Sequence, residues 1–252
     1  MDVTVIIPTL GDRPAMLIEA IESVYGQMVE VKGIIVVVDG SDEARRRVGE
    51  LIEGRPRVEV VTTGEGNRGV SVARNIGAEL ARTDYLAFLD DDDVWRAGHL
   101  AAFCEDVFDV GLSAFWKQRS NMCAHEKTPP AVLHPRRFLV TNGGCRGSNL
   151  VVRSEFYRSI GGFDPQLRVF NDVDFAIRAS LVSNIRYRRN RSRDVVFRTQ
   201  AGRRISGADS RVYRESAHYF YKRYAAMMTN LERKRFRVWI ATVGQISLDE
   251  TK

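Results

Sequence analysis

Residues 85–93 read Tyr85-Leu86-Ala87-Phe88-Leu89-Asp90-Asp91-Asp92-Asp93, a short apolar run that ends in four consecutive carboxylates. The apolar part predicts a buried β-strand. Adjacent carboxylates repel one another, and a divalent cation with a preference for hard oxygen ligands, Mg²⁺ or Mn²⁺, would remove that repulsion. Mg²⁺ takes only one or two protein carboxylates and completes its shell with phosphates and water. The run therefore predicts a metal–diphosphate site; the alternative is a solvated acidic loop in which Asp93 caps a helix.

The residues before this run alternate between strand-like and helix-like patterns. Short strands separated by helices of about a dozen residues indicate βαβ crossovers and a parallel, doubly wound sheet. In such sheets ligands bind outside the carboxyl ends of the strands. The predicted strands are Val3–Ile7, Ile34–Val38, Val58–Val61 and Tyr85–Leu89, and the predicted helices are Pro14–Gln27, Ser41–Ile52 and Val70–Ala81.

Beyond Trp95 the pattern changes. We predict helices at His99–Phe108 and Asp172–Ser180, and a basic, aromatic helix from Ala217 to about Ile240. The predicted fold class is therefore α/β: a Rossmann-like, mostly parallel sheet flanked by helices, with a C-terminal basic and aromatic helical extension.

The composition is that of an ordinary globular protein. The 252 residues carry a net charge of +6, and 44% of them are hydrophobic. The longest uninterrupted apolar run is Ile34–Val38, far short of the roughly 20 residues of a membrane-spanning helix. Three cysteines without a CxxC pair, and a start at Met1 without a signal-peptide pattern, lead us to expect a cytoplasmic protein.

The charge is unevenly distributed. Residues 171–252 contain 18 basic and 8 acidic side chains, whereas residues 1–170 carry a net charge of −4. Ten arginines lie between Arg186 and Arg214. A basic C-terminal third predicts an anionic partner, which could be a nucleotide, a phosphate-bearing acceptor, a membrane surface or nucleic acid. The alternative is a solvated arginine-rich surface.

Three further positions carry candidate chemistry. Asp39 follows the second predicted strand and could bind ribose hydroxyls or base N–H groups, or form an Asx turn with Gly40. Arg74 lies on the third predicted helix, near an N-terminus that favours anions, and Gly77 indicates close packing of that helix on the sheet. Asp172 opens a later helix, either as an acidic first-turn residue or as a general base opposite the metal site.

Several of these motifs occur in the order of a known family. The chain resembles an inverting family 2 glycosyltransferase of the GT-A fold over roughly residues 3–180. The resemblance is carried by Ile7-Pro8-Thr9, Val36–Ser41, Asn67–Gly77, Phe88–Trp95 and the segment from Gly147 through Asp164 to Asp172.

The resemblance implies a role for each matching residue. A nucleoside-diphosphate sugar, most commonly a UDP-sugar, would be the donor, an unidentified hydroxyl compound the acceptor, and Mg²⁺ or Mn²⁺ the cofactor. Residues 1–100 would be the nucleotide-sugar half, 101–180 the acceptor half, and 181–252 a basic loop with the helical extension. The implied residues are Pro8, Thr9, Asp39, Arg74, Asp90 and Asp91 for the donor, Asp92 for the metal, Asp172 as catalytic base, and Arg204 and Ser210 in a mobile loop closing on the diphosphate.

The sequence also departs from the family pattern. Asp39-Gly40 stands where two acids are usual, Asn171-Asp172 where Glu-Asp is usual, and Leu10–Arg13 replaces the commoner Tyr-Asn-Arg segment. These departures bear on base recognition and on the identity of the donor, while the implied base Asp172 is retained.

Two other functions compete with this interpretation. A nucleotidyltransferase acting on sugar phosphates would also combine a Rossmann-like sheet with a metal, but its first loop is expected to be glycine-rich and basic. A non-enzymatic protein could bind an anionic polymer through the arginine-rich tail, which leaves the aspartate run unexplained; we therefore expect no nucleic acid partner. Peripheral attachment to an anionic membrane is the alternative role for the basic segment.

Overall fold

A computed structural model describes residues 1–119, 122–198 and 210–244. The strands in these ranges are β1 (Val3–Thr9), β2 (Gly33–Val38), β3 (Val58–Thr62), β4 (Tyr85–Phe88), β5 (Val94–Trp95), β6 (Val110–Arg119), β7 (Met122–Lys127), β8 (Leu150–Arg153) and β9 (Tyr187–Arg198). The helices are α1 (Pro14–Tyr25), α2 (Asp42–Leu51), α3 (Val70–Leu80), α4 (Ser154–Ser159), α5 (Asn171–Ser180), α6 (Ser210–Tyr224) and α7 (Asn230–Gly244).

One continuous mixed sheet runs through the described part of the chain, in the order β3-β2-β1-β4-β8-β6-β9-β5, with β7 pairing with β6. Strands β1 to β4 are parallel, which confirms the predicted doubly wound half. Strand β8 is antiparallel to β4 and β6, and β9 is parallel to β6. The carboxyl ends of β1, β4, β6 and β9 therefore meet at one edge of the sheet.

Both faces of the sheet are covered, as a parallel sheet requires. Every residue of β1 is buried: Ile6 packs into the apolar cluster on one face, and Val5 and Ile7 pack into the cluster on the other. Helix α3 approaches the sheet closely at Gly77, where an added Cβ would lie 2.5 Å from Cγ2 of Ile6. The predicted close packing at Gly77 is confirmed.

The structure corrects two predictions in the second half of the chain. Within His99–Phe108 only Ala101–Phe103 form a single 3₁₀ turn, so the predicted helix there is wrong. The basic loop predicted from residue 181 onward is also wrong over Tyr187–Arg198, which form β9. The many arginines of this segment hide the strand pattern in the sequence. In the structure, hydrogen bonds to β6 and the burial of Val195 and Phe197 hold the strand in place.

The C-terminal extension packs against the sheet domain instead of standing apart from it. The single predicted helix is two helices, α6 and α7, separated by residues 225–229. Phe220, Tyr224 and Phe236 are buried in the same apolar cluster as Ile6. Among the described residues, no helix combines the length and the apolar character needed to cross a membrane.

Candidate functional site

A cleft of about 150 Å³, partly open to solvent, lies at the carboxyl ends of β1 and β4. This is the edge where a doubly wound sheet is expected to bind its ligand. Most of the residues predicted for donor, metal and base line this cleft together. Its polar and aromatic lining includes Arg13, Arg74, Asp90, Asp91, Asp92, Arg146, Phe170, Asn171, Asp172 and Phe197, with Pro8 beside them.

The four carboxylates of the acidic run have different surroundings. Asp91 is buried; it accepts a hydrogen bond from the Thr9 hydroxyl at 2.6 Å and from Nη2 of Arg13 at 2.6 Å. Nη1 of Arg13 donates to Asp92 at 2.5 Å. Burial raises the pKa of Asp91 to about 7, although Arg13 and Thr9 act in the opposite direction. Arg13 thus relieves part of the repulsion that the sequence predicts.

Asp93 is a structural residue and not the helix cap considered above. Its buried carboxylate accepts a hydrogen bond from the Ser148 hydroxyl and a second one, 2.8 Å long, from the backbone N–H of Arg198. The residues that follow it are strand β5, not a helix. Asp93 therefore ties the end of β4 to the turn before β8 and to β9, and desolvation raises its pKa well above the usual value.

The remaining carboxylates fit a single hard cation. Asp92 and Asp90 line the cleft, and their side chains are only partly exposed, 17% and 28%. No group of three or more His, Cys, Asp or Glu side chains in the described ranges is arranged as a metal site. Mg²⁺ needs only one or two carboxylates when a diphosphate supplies the other oxygens, so the donor set fits this cation.

Arg74 joins the two sides of the cleft. Its Nη2 donates to Asp90 at 2.6 Å, and its Nη1 donates to Asn171 at 2.9 Å. The guanidinium lies so close to the backbone of Gly147 that a Cβ there would be 2.1 Å from Nη2. Arg74 therefore fixes the position of Asp90 relative to the start of helix α5, a role that the sequence does not reveal.

Asp39 lies at the end of β2, outside the lining of this cleft. Its buried carboxylate accepts hydrogen bonds from the Thr63 hydroxyl (2.8 Å) and from the backbone N–H groups of Arg68 (2.9 Å) and Gly69 (2.8 Å). It thus holds the loop before α3 in shape. Its contact with a nucleoside stays a prediction.

Asp172 lies in the first turn of α5 and faces the cleft. Burial raises the pKa of Asp172, and the positive charges of Arg146 and Arg74 act against this rise. Asp174 is two residues further along and points away from the cleft: it is fully buried and accepts hydrogen bonds from Arg178 (2.8 Å) and Tyr224 (2.6 Å). Asp174 is therefore unsuitable as an alternative to Asp172 for the role of catalytic base.

Phe170 precedes Asp172 and was missed by sequence reasoning. Its φ of +65° places a bulky residue in the left-handed region, a conformation that persists only where the surroundings enforce it. Its ring packs on Tyr213, Phe220 and Trp239 with centroid distances of 5.2 to 5.5 Å. The C-terminal helices thereby fix the turn from which α5 and Asp172 begin.

Arg13 and Arg146 were also missed as site residues. Arg13 could have been found, since it lies just beyond the end of β1, where the rule for doubly wound sheets directs attention. Arg146 lies in the glycine-rich segment before β8, and its guanidinium stacks on the Phe197 ring at 4.3 Å. Its role depends on β9, a strand the sequence does not predict.

Two predicted donor residues lie outside the described side chains. Arg204 lies outside the described residues, and Ser210 is the first residue of α6, with its side chain outside the described set.

Comparison with known proteins identifies the family. The model of Glycosyl transferase family 2 matches residues 4–139. The succinoglycan biosynthesis protein ExoW of Rhizobium meliloti is 33% identical over 117 residues, which are 45% of this chain and 36% of that protein. A glucosyl-dolichyl phosphate glucuronosyltransferase of Haloferax volcanii is 37% identical over 93 residues, 36% of this chain and 29% of that protein. The chain thus spans about a third of the length of these relatives.

The fold has a counterpart among solved structures. The crystal structure of S. aureus TarS 1–349 in complex with UDP-GlcNAc has a TM-score of 0.68 and 19% sequence identity, covering 98% of this chain and 74% of that one. At this identity the likeness concerns the fold, and it confirms the predicted GT-A architecture. The family match covers more than half of the chain and favours the predicted glycosyltransferase over a nucleotidyltransferase or a polymer-binding protein. The chain belongs to glycosyl transferase family 2.

Proposed function

We propose that this protein transfers a sugar from a nucleoside-diphosphate donor to an acceptor hydroxyl with inversion, using Asp172 as the base. The observation that carries the proposal is one cleft lined by both Asp172 and the carboxylates Asp90 to Asp92. TarS, a protein of the same fold, was solved with UDP and with UDP-GlcNAc, which supports a UDP-sugar as the first donor to test.

In the proposed reaction the acceptor oxygen attacks the anomeric carbon while the bond to the diphosphate breaks. Asp172 takes the proton of the attacking hydroxyl, and the nucleoside diphosphate leaves. Because burial raises its pKa, the Asp172 carboxylate is a stronger base than a solvated aspartate. Displacement from the side opposite the leaving group inverts the anomeric centre, through a state with oxocarbenium character like that of glycoside hydrolysis.

The acidic run would hold the diphosphate end of the donor through Mg²⁺ or Mn²⁺, with Asp92 as the protein ligand and Asp90 beside it. Such a cation supplies positive charge to the leaving diphosphate. Arg13 already bonds to Asp91 and Asp92, so it keeps these carboxylates in position and adds a second positive charge at the same place. Arg74 donates hydrogen bonds to both Asp90 and Asn171, so it holds Asp90 at a fixed position relative to Asp172, the neighbour of Asn171.

The test of this proposal separates binding from chemistry. A thermal-shift panel of nucleoside diphosphates with Mn²⁺ identifies the donor base, because a ligand that binds only the folded state raises the unfolding midpoint. With that donor, Asp172→Asn should lower kcat by about 10²–10⁴-fold and leave nucleotide binding unchanged. Wild-type turnover in the Asp172→Asn variant, or full activity in excess chelator, would contradict the base or the metal, respectively.

A further inference from the structure

The wall of the cleft beside Asp172 carries one arginine that the proposed reaction leaves without a role. Arg13 and Arg74 are ion-paired with aspartates of the acidic run. Arg146 lines the same cleft, yet it makes no ion pair with any acidic side chain of the described ranges. Its guanidinium carbon lies over the Phe197 ring, 4.3 Å from the ring centroid, at the cleft wall.

Hydrogen-bond donors on Arg146 and on nearby Asn142 are also left over. Nε of Arg146 and Nδ2 of Asn142 are buried, and neither has a hydrogen-bond partner within the described residues. Buried donors are normally paired with an acceptor. Lys127, at the end of β7, donates to the carbonyl oxygen of the Asn142 side chain.

The charges of this group act on one another and on Asp172. The pKa of Lys127 is lowered by burial and by the positive charges of Arg146 and Lys117, while Asp172 acts in the opposite direction. Arg146 in turn lowers the pKa of Asp172. Of the three arginines that line the cleft, Arg146 alone makes no ion pair with a carboxylate of the described residues, so an additional oxyanion would supply its missing partner.

We infer that the acceptor of this transferase carries an oxyanion, a phosphate or a carboxylate, which Arg146 binds while the acceptor hydroxyl reaches Asp172. The inference rests on the proposed function and names the acceptor class of the same site. A guanidinium presents parallel N–H donors that match an oxyanion. The donor diphosphate is a less suitable occupant, because its proposed position is at the acidic run, where Arg13 already lies.

Binding to the UDP-loaded protein tests this inference without turnover. The full chain is saturated with UDP and Mn²⁺, and glycerol phosphate, glycerate and glycerol are titrated calorimetrically. We expect at least one of the two anions to bind at least about tenfold more tightly than glycerol, since hydrogen bonds to charged groups are worth that factor or more. Arg146→Gln should remove most of this preference. Arg146→Lys should retain part of it, and the exposed Arg47→Gln on α2 should leave it intact.

The outcomes separate this inference from the proposed function. If UDP itself does not bind, both fail. If UDP binds but neither anion binds better than glycerol, or if folded Arg146→Gln protein binds them as the wild type does, the acceptor inference alone is overturned. If Arg146→Gln instead weakens UDP-glucuronate selectively over UDP-glucose, the anion belongs to the donor sugar and the acceptor assignment is wrong.

Discussion

Gly147→Ala should disrupt the centre of the site through a single methyl group. The new Cβ would lie 2.1 Å from Nη2 of Arg74, whereas carbon–nitrogen contacts need well over 3 Å, so the guanidinium must move by about 1 Å or more. That movement breaks its bonds to Asp90 and Asn171, now 2.6 and 2.9 Å long. Arg74 is buried and cannot exchange these partners for water.

The cost can be worked from these contacts. Hydrogen bonds to charged groups are worth about 1.5–3 kcal/mol, and Asp90 is partly exposed and recovers some water, so we expect a loss of about 3 kcal/mol in unfolding free energy. For a chain of this size that corresponds to a decrease in Tm of about 6–12 °C. UDP affinity should fall as well, because Asp90 loses its fixed position.

Thermal unfolding and UDP titration of the same preparations measure both effects. Gly49→Ala is the matched control: this glycine lies inside α2 with nothing within 4 Å of an added Cβ, so alanine should stabilise the helix by about 0.5–1 kcal/mol. If Gly147→Ala protein unfolds no earlier than the wild type and binds UDP equally well, the described placement of Arg74 is wrong.

Three further changes test other parts of the structure. Burial lowers the pKa of His99 to about 3, from 6.5 when unfolded, so the free energy of unfolding should decrease as the pH falls through this window, by about 2 kcal/mol between pH 6.5 and 5. In urea unfolding, the stability of the His99→Phe protein should depend less steeply on pH than that of the wild type. Tyr224→Phe removes the hydrogen bond to Asp174 and should cost about 1.5–3 kcal/mol in the same assay; an unchanged midpoint would contradict the docking of α6. Gly77→Ala forces a methyl against Ile6 and should cost about 1–3 kcal/mol, a prediction refuted by unaltered thermal stability.

Local patterns in the sequence are sufficient to predict the doubly wound first half of the fold. Strands β1, β2 and β4 appear as short apolar runs because a parallel sheet covered on both faces buries almost all of their residues, whereas β3 is only partly buried. Since such strands place their following loops at one edge, the positions of Asp90 to Asp92 could be predicted before any contact was known. Asp172 attracts attention as an acidic residue in the first turn of a later helix, and its assignment as the base, which stays a prediction, comes from a motif order that resembles the family.

In the second half the helix predicted at Asp172–Ser180 is confirmed, but other parts could not be predicted in this way, because their structure depends on contacts distant in sequence. Strand β9 exists because β6 offers it hydrogen bonds, and its arginines obscure the alternation that would indicate a strand. Phe170 keeps its left-handed backbone only because aromatic residues of α6 and α7 surround it.

Residue types and spacing determined by themselves that this protein has a doubly wound first half, with carboxylates at the carboxyl ends of its strands. Only the tertiary structure decided how those carboxylates differ. Asp93 is bound to Ser148 and to the backbone of Arg198, whereas Asp92 lines the cleft beside Arg13. The physical reason is that charge and pKa depend on burial and on partners that lie tens of residues away in the chain, and the local sequence contains neither.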